Sequence, residues 1–260
     1  MANPRRKGTG KSAAPRYQLL GSNLRGQMKK MSFALKQIVP WGRSLAEYVA
    51  MFALSDADLR GRILGCGDGP ASFNAALTRQ GGRVVSLDPL YQFSADDIRA
   101  RISETYAEVM EQVQRNKDEY TWTTIKSLDE LGRLRVAAME EFLLDCPLGV
   151  VQKRYVAGEL PRLPFADGDF DLALCSHLLF LYSEQLSEDF HVESIKEICR
   201  VAREVRVFPL TELGAKPSRH LPAVRARLAA DGHAVTVETV PYEFQRGANE
   251  MMRIKAVASA

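Results

Sequence analysis

Long hydrophobic runs are missing from this 260-residue sequence, and no charged-then-apolar leader stands at its start. No window approaches the 18 consecutive apolar residues that a membrane-spanning helix requires, so we expect neither a membrane span nor secretion. We therefore predict a cytoplasmic protein that does not bind membranes. With 46% hydrophobic and 26% charged residues, the composition is that of a globular domain rather than a disordered or fibrous chain.

Cysteine and histidine are scarce, with four of each, and they are scattered. No CxxC pair occurs, and no histidines cluster. The sequence therefore lacks the spacing of a structural zinc site or a disulfide framework, and we predict no metal centre. The thiols are expected to be buried or to line a site: Cys66, Cys146, Cys175 and Cys199.

Acidic residues are absent from the first 30 positions, which hold eight Lys or Arg residues. The rest of the chain has 27 basic and 32 acidic side chains, so the net charge of +3 comes from this segment. Residues 1–31 are also rich in Gly, Pro and Ala, which predicts a basic, disordered tail. Such an arm can bind nucleic acid by counterion release, although the mildly acidic body does not favour that partner.

Short apolar runs alternate with helix-length segments from about residue 32, which predicts a parallel sheet with crossover helices in one domain over 32–260. Two final runs joined by a polar loop predict an antiparallel terminal hairpin. An amphipathic helix is expected over 44–54, before the first strand. The predicted strands cover 62–64, 83–87, 155–157, 170–175, 205–208, 233–240 and 251–257.

The interval between the second and third strands, about 89–153, is too long for a simple crossover. Ser94 with Asp97 and Ser127 with Glu130 give capping patterns for two helices within it. We therefore predict a helical insertion over the carboxyl edge of the sheet. Its aromatic residues are expected either to form its own core or to enclose a substrate: Tyr91, Phe93, Tyr106, Tyr120 and Trp122.

The strongest local signal is RILGCGDGP at 62–70, a strand that runs into a glycine-rich turn. Such glycines let backbone N–H groups approach a ligand, and Pro70 suits the first turn of a helix over 71–79. The next strand ends in Asp88, where an acid accepts hydrogen bonds from ribose hydroxyls. Each motif alone also fits an ordinary turn, but together they indicate an adenosine-containing ligand.

The segment 155–176 reads YVAGELPRLPFADGDFDLALCS. A strand that ends in a small residue and an acid, then Leu-Pro-Phe, then Asp-Gly-x-Phe-Asp resembles the class I S-adenosylmethionine-dependent methyltransferases. With the glycine turn and Asp88, the resemblance covers roughly 58–210, interrupted by the insertion. It implies an α/β, Rossmann-like fold with a seven-stranded, mostly parallel sheet in the order 3-2-1-4-5-7-6.

The resemblance also implies which residues bind S-adenosylmethionine. The glycine turn would surround the methionine part of the cofactor with Gly65, Gly67, Gly69 and the backbone around Cys66 and Asp68. The family usually has an acid two residues before the first glycine, but this chain has Ile63 there. Asp68 is then a candidate for the missing carboxylate.

Further positions follow from the same resemblance. Asp88 would hold the ribose hydroxyls, and Glu159 would face the adenine amino group, with the Leu160 N–H directed to a ring nitrogen. Ser176 and His177 would lie beside the sulfonium. His177 is the candidate general base because the ordinary pKa of histidine suits proton transfer near neutrality. Structural roles stay open for all of these residues, such as a turn acid for Glu159 or a helix cap for Ser176.

Three other segments are candidates for the site. Trp41 and Arg43 are expected to close over the cofactor and meet its carboxylate, and the hairpin loop 242–250 to border the pocket. Tyr182 is a second candidate base. A buried or surface role is the alternative in each case.

The expected function is methyl transfer from S-adenosylmethionine to an unidentified acceptor, a small molecule. No Pro-Cys pair and no Pro-Pro-aromatic turn occur, which disfavours nucleic-acid bases as acceptors. A NAD-dependent oxidoreductase is disfavoured because Pro70 stands where the last glycine of GxGxxG belongs. A non-catalytic, methyltransferase-like binding protein remains open, since a fold does not determine a function.

Overall fold

The computed structural model describes residues 40–255, so the predicted basic tail over 1–31 lies outside the described residues. The helices are α1 (Leu45–Met51), α2 (Asp56–Arg60), α3 (Phe73–Arg79), α4 (Ala95–Arg115), α5 (Leu128–Val151), α6 (Glu188–Val201) and α7 (Leu221–Ala230). The strands are β1 (Arg62–Cys66), β2 (Arg83–Leu87), β3 (Tyr155–Val156), β4 (Phe170–Ser176), β5 (Ala202–Phe208), β6 (Thr211–Glu212), β7 (Lys216–Pro217), β8 (Ala234–Thr239) and β9 (Glu250–Lys255).

Seven strands form one sheet in the order β3-β2-β1-β4-β5-β9-β8. The first five are parallel to one another, and β9 pairs antiparallel with both β5 and β8. When only the seven strands of this sheet are numbered along the chain, their order is 3-2-1-4-5-7-6. The prediction of a Rossmann-like class I methyltransferase fold with a terminal antiparallel hairpin is therefore confirmed.

Neighbouring residues of the central strand β1 point into two different hydrophobic cores, as the pleat requires. Leu64 on β1 lies in the core that includes residues of α6 and α7. Ile63 lies in the other core, with residues of α1 and α3. The sheet is thus covered by helices on both faces, which is why its parallel strands are continuous apolar runs.

The predicted helical insertion is confirmed between β2 and β3, where α4 and α5 pack together. Ser94 caps α4 in a capping box with Asp97. Ser127 caps α5 through the Glu130 N–H, but the Glu130 carboxylate accepts from Lys126 instead, so this capping box is incomplete.

Some local expectations need correction. The helix expected over 71–79 begins only at Phe73, so Pro70 precedes it rather than occupying its first turn. The helix expected over 44–54 ends at Met51, and a separate helix, α2, follows it with Ser55 as its cap. The small ribbon of β6 and β7 was not predicted, because two-residue strands leave no apolar period.

Within residues 40–255, no helix is long and apolar enough to cross a membrane.

Candidate functional site

The glycine turn after β1 is built around the carboxylate of Asp68, which folds back beneath it. A Cβ on Gly65 would lie 1.8 Å from Asp68 Oδ2, so only glycine leaves room for that carboxylate. Gly69 has φ of +52°, in the left-handed region, and nothing lies within 4 Å of where its Cβ would be. The turn therefore has a carboxylate on its inner side and open space at Gly69.

Asp68 is only 7% exposed, and both its oxygens are hydrogen-bonded. The Tyr48 hydroxyl donates to Oδ1 at 2.8 Å, and the Ser86 hydroxyl donates to Oδ2 at 2.6 Å. Burial raises the pKa of Asp68 to about 6, despite these two hydrogen bonds. The carboxylate lies on the same side of β1 as the Ile63 side chain. It is hydrogen-bonded to protein groups and does not point to the open side of the turn.

Asp88 ends β2 and is tied to the same turn. Its Oδ2 accepts the Gly69 N–H at 2.9 Å, and its Oδ1 accepts the Leu90 N–H at 2.8 Å. Burial raises the pKa of Asp88 to about 6, although both backbone hydrogen bonds act against that rise. Each carboxylate oxygen keeps a lone pair, so this partly buried, oriented acid can accept two further hydrogen bonds.

Ser176 and His177 lie at the carboxyl end of β4. Ser176 Oγ is 2.9 Å from His177 Nδ1. His177 has φ of +52°, a strained conformation for a residue with a side chain, and its N–H donates to the Phe208 carbonyl. Burial, with the Arg43 and Arg135 guanidinium groups, holds the pKa of His177 well below its usual range.

Arg43 lies directly beside the glycine turn. Its carbonyl accepts the Ser72 N–H, and a Cβ on the adjacent Gly42 would lie 2.2 Å from the Pro70 carbonyl oxygen. Arg43 Nη1 donates to the Trp41 carbonyl, whereas its buried Nε has no partner within residues 40–255. None of the described carboxylates pairs with Arg43, and residues 1–39 contain no Asp or Glu.

The neighbouring acid, Glu47, is already neutralised by another arginine. Arg135, from α5, is 1% exposed and donates from Nη1 and Nη2 to the two Glu47 oxygens, each at 2.7 Å. The Tyr242 hydroxyl donates to Glu47 as well. Although burial alone would raise it, Arg135 lowers the pKa of Glu47 to about 2. Arg43 and Arg135 therefore both lie near Glu47. Because Glu47 pairs with Arg135, Arg43 has no counter-ion among residues 40–255.

The region where adenine is expected has fewer contacts. Glu159 is exposed, and its carbonyl accepts the Arg162 N–H in a tight turn. Leu160 is buried, but the hydrogen bonds found among residues 40–255 do not use its N–H. β3 is only two residues long. The backbone donor is thus available to a ligand, and the Glu159 carboxylate faces solvent.

The insertion and the β8–β9 loop meet at the carboxyl edge of the sheet. The Thr121 N–H donates to the Phe244 carbonyl, and the Arg246 N–H donates to the Glu119 carbonyl. Both positions are close to an aromatic cluster that borders Arg43: Trp41, Tyr106, Tyr120, Trp122 and Phe244. These rings therefore form a local core and also a wall beside the candidate site.

Three candidate residues have buried side chains. Cys66 and Cys175 are register partners on β1 and β4, and their side chains are completely buried in a hydrophobic core, which raises the pKa of both thiols. Only the Cys66 backbone can face a ligand in the turn. Tyr182 is buried in the 3-10 helix Phe180–Tyr182.

Tyr48, Glu47, Ser86 and Arg135 were not predicted as site residues, and Tyr242 was predicted only as part of the loop that borders the pocket. One signal was present in the sequence: Arg135 lies on the apolar stripe of α5, four residues after Leu131 and seven before Phe142. A charged side chain on a buried stripe requires a partner. The sequence does not show that this partner is Glu47.

No family model matches the sequence. A curated relative is similar along most of its length, with 30% identity over 223 residues, which is 85% of this chain and 97% of the relative. It is the uncharacterized protein MJ0045 of Methanocaldococcus jannaschii.

The solved structures that resemble this chain have lower sequence identity to it than this relative has. Magnesium protoporphyrin IX methyltransferase from Synechocystis, solved with S-adenosylmethionine, is 13% identical, with 82% of this chain and 78% of that one covered and a TM-score of 0.41. A methyltransferase from Thermotoga maritima, described as a possible histamine N-methyltransferase, is 15% identical over 82% and 88%, with a TM-score of 0.40. The fold assignment rests on this chain's strand order and register, not on these scores.

Proposed function

We propose that this chain, which belongs to the same family as protein MJ0045 of Methanocaldococcus jannaschii, binds S-adenosylmethionine and transfers its methyl group to a small-molecule acceptor. The observation that carries the proposal is the junction of β1 and β2, where the Gly69 N–H holds the Asp88 carboxylate against the glycine turn. An acid oriented at this point is suited to the two hydroxyls of a ribose.

The residues present fit the cofactor in charge as well as in shape. The open space at Gly69 leaves room for a ligand at the turn. Among residues 40–255 the buried Nε of Arg43, beside the same turn, has no partner, and it suits the cofactor's carboxylate because a buried cation without a counter-ion is costly. Burial also lowers the pKa of Arg43, which a bound carboxylate would reverse.

Each part of the cofactor then has a partner in the proposal. Asp88 holds the ribose, the Leu160 N–H and Glu159 meet the adenine, and Arg43 meets the carboxylate. The backbone of the glycine turn lies along the methionine part.

S-Adenosylmethionine supplies a methyl group activated by a sulfonium, which becomes a neutral thioether when the methyl leaves. Since the donor is already reactive, the protein's tasks are to align the acceptor and, where needed, to accept its proton. His177, at the end of β4, is the proposed base. The aromatic residues around Tyr120 and Phe244 exclude water from the side of Arg43.

Calorimetric titration with S-adenosylmethionine and S-adenosylhomocysteine, with NAD as the control, tests the proposal. We expect micromolar binding of the two sulfur compounds and none of NAD. Binding of NAD alone would support an oxidoreductase, and binding of none would contradict the proposal. Incubation with a labelled methyl donor and pools of small molecules separates an enzyme from a non-catalytic binding protein, since only an enzyme transfers the label.

A further inference from the structure

The outward side of α5 carries a stripe of apolar side chains that no other part of residues 40–255 covers. Leu144 and Val151 are each 79% exposed, Leu148 is 56% exposed, and Leu134 is 41% exposed. A single exposed leucine is ordinary on a protein surface, but Leu144, Leu148 and Val151 lie on successive turns of one helix. They form a contiguous apolar patch, which is typical of an interaction surface.

The spacing of this stripe is that of a helix-pairing seam. With Glu141 in its place, the positions follow one another at alternating steps of three and four residues, which is the a and d pattern of a heptad repeat. The buried side of α5 is a separate face and includes Arg135, so the stripe does not hold α5 on its own domain. The exposed members of the outward stripe are Leu134, Ala137, Leu144, Leu148 and Val151.

The charges beside the outward stripe differ between its two ends. Next to Leu144, the acids Glu140, Glu141 and Asp145 line a surface cavity of about 600 Å³. Each of them already pairs with an arginine, but a carboxylate oxygen accepts more than one hydrogen bond. Just beyond the other end stands Lys153, which is exposed and belongs to none of the ion pairs found among residues 40–255.

We propose that α5 is the contact surface of a homodimer, in which the outward stripes of two copies pack antiparallel about a twofold axis near Leu148. Such an axis places each end of one stripe against the opposite end of the other. Lys153 of each copy then meets the acid-lined cavity of the second copy, and the apolar side chains between them leave water. A parallel pair would instead bring like charges together. The inference does not depend on the proposed function.

Two other occupants of the stripe fit these observations less well. Residues 1–39 of the same chain contain no Asp or Glu, so they supply no ionic partner for Lys153. An anionic lipid surface would be repelled by Glu140, Glu141 and Asp145, which lie beside the stripe. A second copy supplies both an apolar face of the same spacing and acids for Lys153.

Sedimentation equilibrium of the full chain over a range of concentrations is the first test. One pair of helices buries less than the roughly 800 Å² per partner of a standard interface, so we expect a dimer at about 100 µM that dissociates near 1 µM. Leu148→Glu places two carboxylates side by side at the axis and should weaken dimerisation by at least about 100-fold. This variant should therefore be a monomer at every concentration tested.

Val136→Glu is the matched control, because it makes the same kind of change on the same helix. Val136 is 42% exposed and lies off the stripe, so this variant should dimerise like the unaltered protein. Leu148 is exposed as well, and circular dichroism should show both variants folded. Equal losses of dimer in the two variants would overturn the assignment of the stripe as the contact surface.

Cross-linking tests the antiparallel arrangement. The native cysteines are all buried, so a short bismaleimide should not join copies of the unaltered protein. In Leu148→Cys the two introduced thiols lie near the axis and should be linked in high yield. In Leu134→Cys they would lie about 40 Å apart in the antiparallel dimer and should not be linked.

Three outcomes would overturn the proposal. A chain that is monomeric at about 100 µM does not use the stripe for a second copy, whatever else covers it. A dimer that Leu148→Glu leaves intact is built on another surface. Efficient linking of Leu134→Cys would show that the two helices are not antiparallel, and sedimentation of the monomer with phosphatidylserine vesicles, lost in Leu148→Glu, would assign the stripe to a membrane.

Discussion

The two ends of the candidate cofactor site are built differently. Around the glycine turn, Asp68 and Asp88 both accept hydrogen bonds, and their carboxylates are held before any ligand is present. Around β3, Glu159 is exposed and the Leu160 N–H is unused among residues 40–255. The contrast teaches that the side chains at the proposed methionine and ribose end are oriented by the fold itself, whereas the proposed adenine contacts would form with the ligand.

The largest effect is expected for Asp68, because a buried acid with a raised pKa makes stability depend on pH. The unfolded carboxyl ionises near pH 4, and the folded one at about 6. The stabilisation of the folded state that comes from protonated Asp68 is thus fully present below pH 4 and is lost as pH rises through 6. Asp68→Asn should therefore gain up to roughly 3 kcal/mol of unfolding free energy relative to the unaltered protein between pH 4 and 7.

Chemical denaturation at a series of pH values measures this difference. Asp88, whose pKa burial raises, and His177 and His191, whose pKa values burial lowers, titrate in both proteins, so subtraction leaves Asp68 together with its coupling to Asp88. A difference in stability that does not change with pH would show that the Asp68 carboxylate is not held in this buried state.

Asp88 should come next, with an effect on binding. Asp88→Ala removes the oriented carboxylate, and we expect adenosine-containing ligands to bind more weakly by about 2 kcal/mol, a loss of roughly 30-fold. Glu159→Ala is the matched control from the less organised end and should cost less than about 1 kcal/mol, because its carboxylate is exposed. Calorimetry with S-adenosylhomocysteine measures both, and an equal or reversed ranking would break the contrast between the two ends.

Arg43 should have a smaller effect than Asp88, and it should depend on one part of the ligand. Arg43→Gln is expected to weaken S-adenosylhomocysteine binding about tenfold, as for a hydrogen bond between charged groups. Methylthioadenosine lacks the amino-acid carboxylate, so its affinity should not change. Equal losses for the two ligands would mean that Arg43 does not bind the carboxylate.

Much of the site's backbone was predictable, and few of its side-chain contacts were. The GxGxG turn and the acid at the end of β2 are local patterns, and the structure has both where they were expected. The inward fold of Asp68 was not predictable, because it depends on Tyr48, 20 residues earlier, and Ser86, 18 residues later. The partner of Arg135 lies 88 residues away.

The sequence by itself determined the alternation of strands and helices, the glycine turn and the positions of Asp88 and His177, since these depend on local periodicity and residue type. Tertiary structure alone decided that Asp68 lies beneath the turn, that Arg135 rather than Arg43 neutralises Glu47, and that Tyr48 donates to Asp68. Side-chain partners are set by how separate elements pack. Local patterns constrain the backbone of each element but do not specify which buried charge meets which.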